Sequence, residues 1–333
     1  MAEISLTYLN GPDIDRLELT NDEILAAVEA GLIAQGEHRT VIEPRVHLIP
    51  DPAIRGHFNV LRGCVAPLGL AGIKIVGDYV DNYRLGLPSE MALLNLFDPT
   101  TGMPTAILDA TAITEMRTGA LTALGARHLA RVGARSLGHV GARGTAYWNV
   151  RLLDHLFGFE SIRVHSRRPE SREAFARTLS AELGKDVVAT DGWRSCLDQA
   201  DVLVEASRLD QRTPLLRAEW LAPGSLLVPY GTVSALDLAV TEVIDTLVVD
   251  DLGQFRAGQF GALRPHIEAG LVSEESVHAE LCEIVVGDKP GRRSDDERIL
   301  FWHRGLSLSD IALGAAVLDK AARLGVGQTL RYA

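Results

Sequence analysis

The stretch SLGHVGARGTAYWNV at residues 136–150 contains three glycines spaced three residues apart, Gly138, Gly141 and Gly144. A strand-like run leads through them into a helix-like run. Such a turn can bind phosphate, because the first N–H groups of a helix lack partners and carry the positive end of its dipole. The usual dinucleotide fingerprint is G-x-G-x-x-G, whereas here Arg143 stands where a second close glycine is expected. The spacing leaves two interpretations open, a cofactor loop or a plain turn.

The pattern predicts a conformation for each part of this loop. Gly138 is expected inside the strand, Gly141 at the tight turn and Gly144 in the first helical turn. Arg143 would turn its side chain aside and lie along the pyrophosphate, while backbone N–H groups make the contacts. The predicted cofactor-binding residues of the loop are Gly141, Ala142, Arg143, Gly144 and Thr145.

The next strand-like run ends where a dinucleotide-binding protein recognises the ribose. An acidic residue at that point would accept from the ribose 2′-OH and favour NAD, but this chain has Ser166, Arg167 and Arg168. Arginines there can pair with a 2′-phosphate, so the sequence predicts NAD(P)H with a preference for NADP. An exposed arginine pair at the start of a helix would leave NAD open. Ser207 and Gly231, which follow two later strands, are further predicted cofactor contacts.

Strand-like and helix-like runs alternate from residue 136 onward, which predicts a Rossmann-type, doubly wound parallel sheet in an α/β protein. The earlier part has a helix at residues 21–36 followed by strand-like runs separated by turn residues, which indicates a mixed, mainly antiparallel block. The closing stretch from residue 299 is predicted to be a loop and an amphipathic helix that return to this block. The predicted domains are therefore a dinucleotide-binding domain at 117–299 and a discontinuous mixed α+β domain at 1–116 and 300–333.

Composition excludes several classes of function. A net charge of -11 argues against a nucleic-acid partner, and no apolar run approaches the ~20 residues of a membrane helix. The cysteines, Cys64, Cys196 and Cys282, are isolated, and the histidines lack metal-ligand spacing. These features predict a cytoplasmic protein without a metal site, a nucleic-acid partner or a membrane partner.

Several segments together resemble the ornithine cyclodeaminase/μ-crystallin family. They are PRVHLIP, AGIKIVGDY, PTTGMPTAILDATAITEMRTGA, the continuation GALTALGARHLAR before the glycine loop, and the closing GLSLSDIALGAAV. The resemblance implies a substrate domain built from both chain ends around a central Rossmann domain, and a homodimer. The domain arrangement agrees with the division predicted from the alternating pattern, and the resemblance assigns substrate binding and dimerisation to the discontinuous domain at 1–116 and 300–333.

The resemblance makes Arg45, Lys74 and Arg117 the groups that hold the α-carboxylate of a substrate. Lys74 lies between Ile73 and Ile75, an apolar setting in which an unpaired ammonium would be costly. It should therefore have a carboxylate partner, a shifted pKa, or both. Another role remains open for each of the three. Lys74 could reach solvent from an edge strand, Arg45 could form a surface ion pair, and Arg117 could form an ion pair between the domains.

One departure from the family pattern affects the predicted reaction. Cyclodeaminases of the family carry an aspartate two residues after a loop glycine, but Gly231 is followed by Thr232 and Val233, and Asp237 is not in an equivalent position. The acid that would assist deaminative cyclisation is missing, so ornithine cyclisation is disfavoured. Hydride exchange between a nicotinamide and an imine or amino acid does not need that acid. Lys74 is the predicted catalytic residue, as a proton donor or a polarising group.

Additional cationic groups suggest a substrate with a second carboxylate. His47, expected on the same strand face as Arg45, and the loop residues His303 and Arg304 could bind it. The leading substrate is then a dicarboxylic imine such as iminosuccinate, which would be reduced to aspartate. A dimer contact is the other interpretation of His303 and Arg304. Two other functions remain open: a nucleotide- and ligand-binding protein without turnover, and an opine-type synthase that joins an amine to a keto acid.

Overall fold

The structure is a computed structural model, and it describes residues 3–257 and 261–333. The chain divides into two compact units. The terminal unit comprises Met1–Arg117 and Gly305–Ala333, and the central unit comprises Thr118–Arg304.

The described residues form strands and helices that are numbered here in chain order. The strands are β1 Ser5–Leu9, β2 Thr40–Leu48, β3 Gly56–Val65, β4 Leu70–Tyr79, β5 Glu90–Phe97, β6 Pro104–Asp109, β7 Ser136–Val140, β8 Ser161–His165, β9 Val187–Ala189, β10 Val202–Glu205, β11 Leu226–Pro229, β12 Thr246–Val249, β13 Val277–Glu280, β14 Ile299–Trp302 and β15 Gln328–Arg331. The helices are α1 Gly11–Asp15, α2 Asn21–Gly36, α3 Thr111–Leu129, α4 Ala146–Phe157, α5 Pro169–Leu183, α6 Trp193–Leu197, α7 Leu252–Ala257, α8 Arg264–Glu268, α9 Leu281–Val285 and α10 Ser307–Leu324.

The sheet of the terminal unit has the strand order β15-β1-β6-β5-β4-β3-β2. Its strands pair antiparallel except for β1 and β6, which are parallel. Strands β5 and β6 form a hairpin, closed by a turn in which Asp98 accepts from the backbone N–H groups of Thr100 and Thr101. The mixed, mainly antiparallel block expected from the sequence is therefore confirmed.

Strand β4 shows how side-chain alternation sets the two faces of this sheet. Gly72, Lys74 and Val76 are buried, whereas Ile73 and Ile75 are exposed. Helix α10 packs against β3, β4 and β5 on the buried face. The absence of a side chain at Gly72 lets α10 approach closely, because a methyl group there would lie 2.6 Å from Ile311. Lys74 therefore points toward a helix and not toward solvent.

The sheet of the central unit has the order β13-β12-β14-β11-β10-β7-β8-β9, and its strands are parallel. Strands β8 and β9 lie on one side of β7, and β10 and β11 lie on the other. This reversal of strand order at β7 is the switch point at which doubly wound sheets bind ligands. The predicted doubly wound α/β fold is confirmed.

One part of the sequence prediction was wrong. Residues 299–302 were expected to form a loop, but they form β14, which lies between β11 and β12. These residues, ILFW, are buried without alternation. A strand covered on both faces by other elements has such a continuous apolar run, and a run this short gives no period from which to recognise it.

The first turn of α3 contains two threonines, Thr111 and Thr114. The helix begins at Thr111, whose backbone N–H donates to Asp109 Oδ1 at 2.9 Å. Thr114 lies inside the first turn, and its hydroxyl donates to the carbonyl of Ala110 at 2.7 Å. Its oxygen is thereby left able to accept a hydrogen bond from elsewhere.

Within the described ranges, no helix is both long enough and apolar enough to cross a membrane. The same residues contain no group of three or more histidine, cysteine, aspartate or glutamate side chains arranged to hold a metal ion.

Candidate functional site

Lys74 and Asp310 form a fully buried ion pair in the terminal unit. The Lys74 ammonium donates to Asp310 Oδ1 at 2.6 Å and to Thr114 Oγ1 at 3.1 Å, and neither charged side chain is exposed. Strand β4 supplies the lysine, and the first turn of α10 supplies the aspartate. Asp310 is the carboxylate partner that the apolar neighbours of Lys74 led us to expect. The alternative of a lysine that reaches solvent is ruled out by its burial.

The surroundings of Lys74 lower its pKa. Burial, followed by the positive charge of Arg117, lowers the pKa of Lys74 to about 7, while Asp310 opposes this change. An ammonium whose pKa lies near neutrality can both hold and release a proton under ordinary conditions. This is a property required of a general acid.

Arg117 joins the same carboxylate and retains an unused donor. Its Nε donates to Asp310 Oδ1 at 2.8 Å, while its buried Nη1 has no hydrogen-bond partner among the described residues. Space for Nη1 depends on Gly305, where a methyl group would lie 1.4 Å away. The carbonyl of Gly305 accepts a hydrogen bond from Arg45 Nη2 at 2.8 Å. The three predicted carboxylate-binding cations are thus linked through Asp310 and Gly305.

The charge balance of this cluster favours an anionic ligand. Lys74, Arg117 and Arg45 bring three positive groups near one buried carboxylate, Asp310. A buried guanidinium N–H without an acceptor is costly, and a carboxylate is the anion that its planar fork fits best. Lys74 has three N–H donors, of which Asp310 and Thr114 take two. The cluster can therefore bind a carboxylate and present one further N–H to the group beside it.

The structure places the other predicted substrate residues differently. His47 is half-buried in the terminal unit, with its ring centroid 5.3 Å from that of His57. A register shift between Glu43 and Val46 in β2 contains Arg45, so regular alternation no longer supports a shared face for Arg45 and His47.

His303 and Arg304 belong to the central unit, whereas Arg45, Lys74 and Arg117 belong to the terminal unit. The fully buried His303 ring stacks on Tyr230 and Phe301, and its Nε2 lies 3.0 Å from Thr122 Oγ1. The backbone N–H of Arg304 donates to Asp250 Oδ2 at 2.8 Å. Because His303 is buried within the chain, its side chain presents no surface for a dimer contact.

The glycine loop after β7 has the features of an anion-binding turn. Gly141 has φ +118°, and a methyl group there would lie 2.7 Å from the carbonyl of Ala206. Gly144, predicted to lie in the first helical turn, instead precedes the helix with φ +57°. No side chain of the described residues caps α4 at Thr145, whose hydroxyl is bonded to Tyr230 at 2.6 Å. The N–H of Ala146, the first residue of α4, donates to the carbonyl of Arg143 at 3.3 Å. The next N–H groups of the first turn have no side-chain cap and can meet a phosphate, while the Arg143 side chain is exposed.

The end of β8 carries the predicted ribose-recognition residues. Arg167 and Arg168 are exposed, and the Ser166 hydroxyl donates to the carbonyl of Arg168 at 3.3 Å. Arg172, one turn into α5, pairs with Asp191. The cationic groups at 167 and 168 thus extend from the strand end that borders the switch point, where a nucleotide would meet them.

A buried acid that the sequence interpretation missed connects the two remaining cofactor residues. Glu205, the last residue of β10, is fully buried, and its Oε1 accepts from the backbone N–H of Ser207 at 2.8 Å and from the Ser207 hydroxyl. A methyl group at Gly231 would lie 2.7 Å from Oε2. Burial raises the pKa of Glu205 to about 7. A signal was present in the sequence, since a single acid ends the apolar run DVLVE of a central strand.

Asp237 is occupied by a structural role. Its carboxylate accepts from the backbone N–H of Ala239 at 3.1 Å and pairs with Arg217. The hydrogen bond from Ala239 is the main cause that lowers the pKa of Asp237. It therefore does not replace the acid that is missing at Val233.

The model of the ornithine cyclodeaminase/mu-crystallin family matches residues 12–324 of the chain. The chain is similar to the Δ1-pyrroline-2-carboxylate reductase of Thermococcus litoralis in complex with NADH and L-proline, with a TM-score of 0.91 and 26% identity, covering 97% of this chain and 99% of that one.

Two further solved structures are similar over nearly their whole length. An archaeal alanine dehydrogenase dimer with bound NAD has a TM-score of 0.90 and 28% identity, with coverage of 99% of this chain and 100% of that one. The iminosuccinate reductase of Paracoccus denitrificans in complex with NAD+ has a TM-score of 0.87 and 27% identity, with coverage of 98% and 99%.

Proposed function

Because the chain belongs to the ornithine cyclodeaminase/mu-crystallin family, we propose that it is an NAD(P)H-dependent oxidoreductase that reduces a small α-imino acid to the L-amino acid, or catalyses the reverse oxidation. The observation that carries this proposal is the buried Arg117 Nη1, which has no acceptor among the described residues and lies in one cluster with Lys74. The names of the three solved relatives, all enzymes of imino or amino acids, support the reaction class.

In this proposal the α-carboxylate of the substrate binds Arg117 and Arg45. Asp310 holds the Arg117 guanidinium through Nε at 2.8 Å, so the rest of the planar fork is fixed before the substrate arrives. Gly305 leaves the space that Nη1 occupies. A fixed carboxylate orients the adjacent α-carbon, and such orientation is a large part of the rate acceleration available to an enzyme.

Lys74 acts as the proton donor. A nicotinamide bound in the central unit would supply a hydride for the imine carbon, and the nitrogen of the former C=N bond would then need a proton. The third N–H of the Lys74 ammonium supplies that proton, while Asp310 and Thr114 fix the position of Nζ. The low pKa of Lys74 eases this release.

The cofactor in this proposal lies at the carboxyl ends of the central sheet. The backbone N–H groups of the glycine loop and of the α4 residues after Ala146 hold the pyrophosphate, because no side chain of the described part caps the start of the helix. Ser166, Arg167 and Arg168 favour a 2′-phosphate and hence NADPH.

Replacement of both Arg167 and Arg168 by alanine is expected to weaken NADPH binding about tenfold or more while NADH binding changes little. Equal loss for the two cofactors would indicate no contact with a 2′-phosphate.

The proposed substrate is a dicarboxylic imine, with iminosuccinate the leading example. His47, His303 and Arg304 were proposed to bind the second carboxylate, and the similarity to an iminosuccinate reductase supports the substrate class. The test compares NAD(P)H oxidation with oxaloacetate plus ammonia against pyruvate plus ammonia. Equal or better activity with pyruvate would remove the dicarboxylate proposal and leave the reductase intact.

A binding and turnover panel tests the function itself. Quenching of cofactor fluorescence measures nucleotide binding, and a panel of keto acids with ammonia, cyclic imines and L-amino acids measures turnover. Binding followed by turnover is expected. Binding without turnover on any member would favour a ligand-binding protein, and turnover only with a second, larger amine would favour an opine-type synthase.

The chain is further proposed to form a cytoplasmic homodimer. The exposed face of the terminal sheet carries a row of apolar residues paired across four strands, Val46, Val60, Ile75 and Leu93. Val46, Ile75 and Leu93 are 50%, 40% and 49% exposed. A contiguous apolar patch of this kind marks an interaction surface, and the similar archaeal alanine dehydrogenase is a dimer.

A further inference from the structure

Glu205 has an unusual position for a charged residue. It ends β10, a strand in the interior of the parallel sheet, and its Cα is in register with Val140 of β7 and Pro229 of β11. Lys and Glu are almost never fully buried unless they are paired. No salt bridge to Glu205 is found in the described part of the chain. Its hydrogen-bond partners there are the N–H and hydroxyl of Ser207, and the backbone of Gly231 also faces the carboxyl group.

One oxygen of this carboxyl group lacks a hydrogen bond. Oε1 takes both bonds from Ser207, whereas the buried Oε2 has no hydrogen-bond partner among residues 3–257 and 261–333. A buried polar atom left in this way is costly, so an acceptor at this place calls for a donor. Gly231 keeps the space beside Oε2 clear of a side chain, since a methyl group there would lie 2.7 Å from it.

The place of Glu205 in the sheet identifies the part of a dinucleotide that it would meet. The pyrophosphate of a dinucleotide sits at the helix after the switch-point strand, which is α4 after β7. The adenosine half extends toward β8, where the ribose-recognition position lies, so the nicotinamide half extends toward β10 and β11. Gly141 packs against the carbonyl of Ala206, so the residues just after Glu205 border the phosphate loop itself.

We infer that Glu205 is a cofactor-positioning residue whose Oε2 accepts a hydrogen bond from the carboxamide N–H of the bound nicotinamide. This inference rests on the proposed function. The carboxamide offers the N–H donors that an acceptor-only carboxylate requires. One such bond would fix the rotation of the nicotinamide ring and so determine which of its faces is turned to the substrate.

The test compares cofactors that differ only at the carboxamide. The 3-acetylpyridine analogue keeps the carbonyl and replaces the NH₂ with a methyl group, so it lacks the donor. ADP-ribose, or its 2′-phosphate if NADPH is the cofactor bound, lacks the nicotinamide altogether. Dissociation constants are measured by titration calorimetry for the wild type, Glu205→Leu and Glu205→Gln. Leucine fills the same space without an acceptor, and glutamine keeps an acceptor oxygen.

The wild type is expected to prefer the natural cofactor over the acetylpyridine analogue by about tenfold or more, since a hydrogen bond to a charged group is lost. Glu205→Leu should abolish most of that preference while its affinity for ADP-ribose stays within about threefold. Glu205→Gln should retain more of the preference than Glu205→Leu.

The inference would be overturned if Glu205→Leu kept the wild-type preference for the natural cofactor over the acetylpyridine analogue. It would also be overturned if Glu205→Leu lost as much affinity for ADP-ribose as for the cofactor. A Glu205→Gln variant with no more of the preference than Glu205→Leu would overturn it as well. These results leave the proposed function standing. Failure of the wild type to bind either NADH or NADPH would overturn both.

Discussion

The charge balance around Asp310 determines how Lys74 behaves as an acid. Two cationic groups share one oxygen of this carboxylate, Lys74 Nζ at 2.6 Å and Arg117 Nε at 2.8 Å. Asp310 therefore compensates the buried ammonium only in part, and burial together with Arg117 brings the pKa of Lys74 to about 7. The same shared oxygen fixes both groups relative to each other, so acid strength and carboxylate recognition depend on one residue.

The pH profile of imine reduction should report Lys74. The donor is its protonated form, and its pKa is lowered to about 7, so kcat/KM is expected to be level below that pH. Above it, kcat/KM should fall by about tenfold per pH unit. Lys74→Met should reduce kcat by about 100-fold or more, with cofactor affinity unchanged. A profile that is flat from neutral to alkaline pH would contradict the assignment of Lys74 as the acid.

Replacement of Asp310 should move this pH dependence. Asp310→Asn removes the negative charge that opposes the lowering of the Lys74 pKa, so the fall in kcat/KM should begin at lower pH. The variant should also unfold about 3–5 kcal/mol more easily, because a buried pair is broken. Thr114→Val, which removes a neutral contact of the same ammonium, serves as the control and should move the profile less. If kcat/KM of Asp310→Asn falls at the same pH as that of the wild type, the titrating group would be the substrate and not Lys74.

Only part of the cluster around Lys74 could be predicted from the types of its residues in the sequence. The apolar neighbours of Lys74 predicted a carboxylate partner but not which one, because Asp310 lies 236 positions away along the chain. A sequence pattern along one strand cannot specify a partner on a distant helix. Arg117 entered the prediction only through the family resemblance, and the structure shows that it shares Asp310 with Lys74.

At the scale of elements, the loop between β7 and α4 carries the cofactor hypothesis. Gly141 and Gly144 both have positive φ, but only Gly141 is crowded by backbone atoms. The two glycines therefore provide a matched pair of substitutions with the same chemical change.

A methyl group in Gly141→Ala would push the loop away from the carbonyl of Ala206. Cofactor binding should therefore weaken by about tenfold or more, which corresponds to about 1.4 kcal/mol of binding free energy. Gly144→Ala meets no atom within 4 Å, so it should cost only the about 1–2 kcal/mol of a left-handed residue in stability, with a smaller effect on affinity. Fluorescence titration and thermal unfolding measure the two quantities. Equal cofactor affinities for the two variants would show that the turn at Gly141 does not position the phosphates.

The exposed Arg143 provides a separate test of the loop. Arg143→Ala should lower cofactor affinity severalfold at low ionic strength, and the difference from wild type should shrink as salt screens the exposed charge. An unchanged affinity at low salt would show that the Arg143 side chain does not contribute to cofactor binding and is only tolerated at this position. The backbone N–H groups at the start of α4 would still be expected to bind the phosphates.

The alternation of elements could be predicted better than their individual ends. The helix predicted at residues 21–36 has the observed limits of α2. Strand β14 was missed because four buried apolar residues carry no periodicity. Its place between β11 and β12 is a long-range property that no local pattern records.

At the scale of the whole molecule, the apolar row across the terminal sheet predicts self-association. An aspartate at either Ile75 or Leu93 would place an unpaired charge in the proposed dimer interface. The double variant Ile75→Asp/Leu93→Asp should therefore sediment as a monomer. Val132→Asp, at a residue that is 95% exposed in the central unit, is the control and should leave the dimer intact. A dimer that persists in the double variant would place the interface elsewhere.

The central claim is that this protein transfers a hydride from a nicotinamide to the carbon of an α-imino acid. The most direct test uses NADH or NADPH deuterated at C4 of the nicotinamide, with oxaloacetate or pyruvate plus ammonia as the source of the imine. Mass spectrometry of the amino acid should find the deuterium at Cα with the wild-type protein, and in an amount reduced about 100-fold or more with Lys74→Met. Cofactor binding without deuterium in any amino acid product would contradict the account.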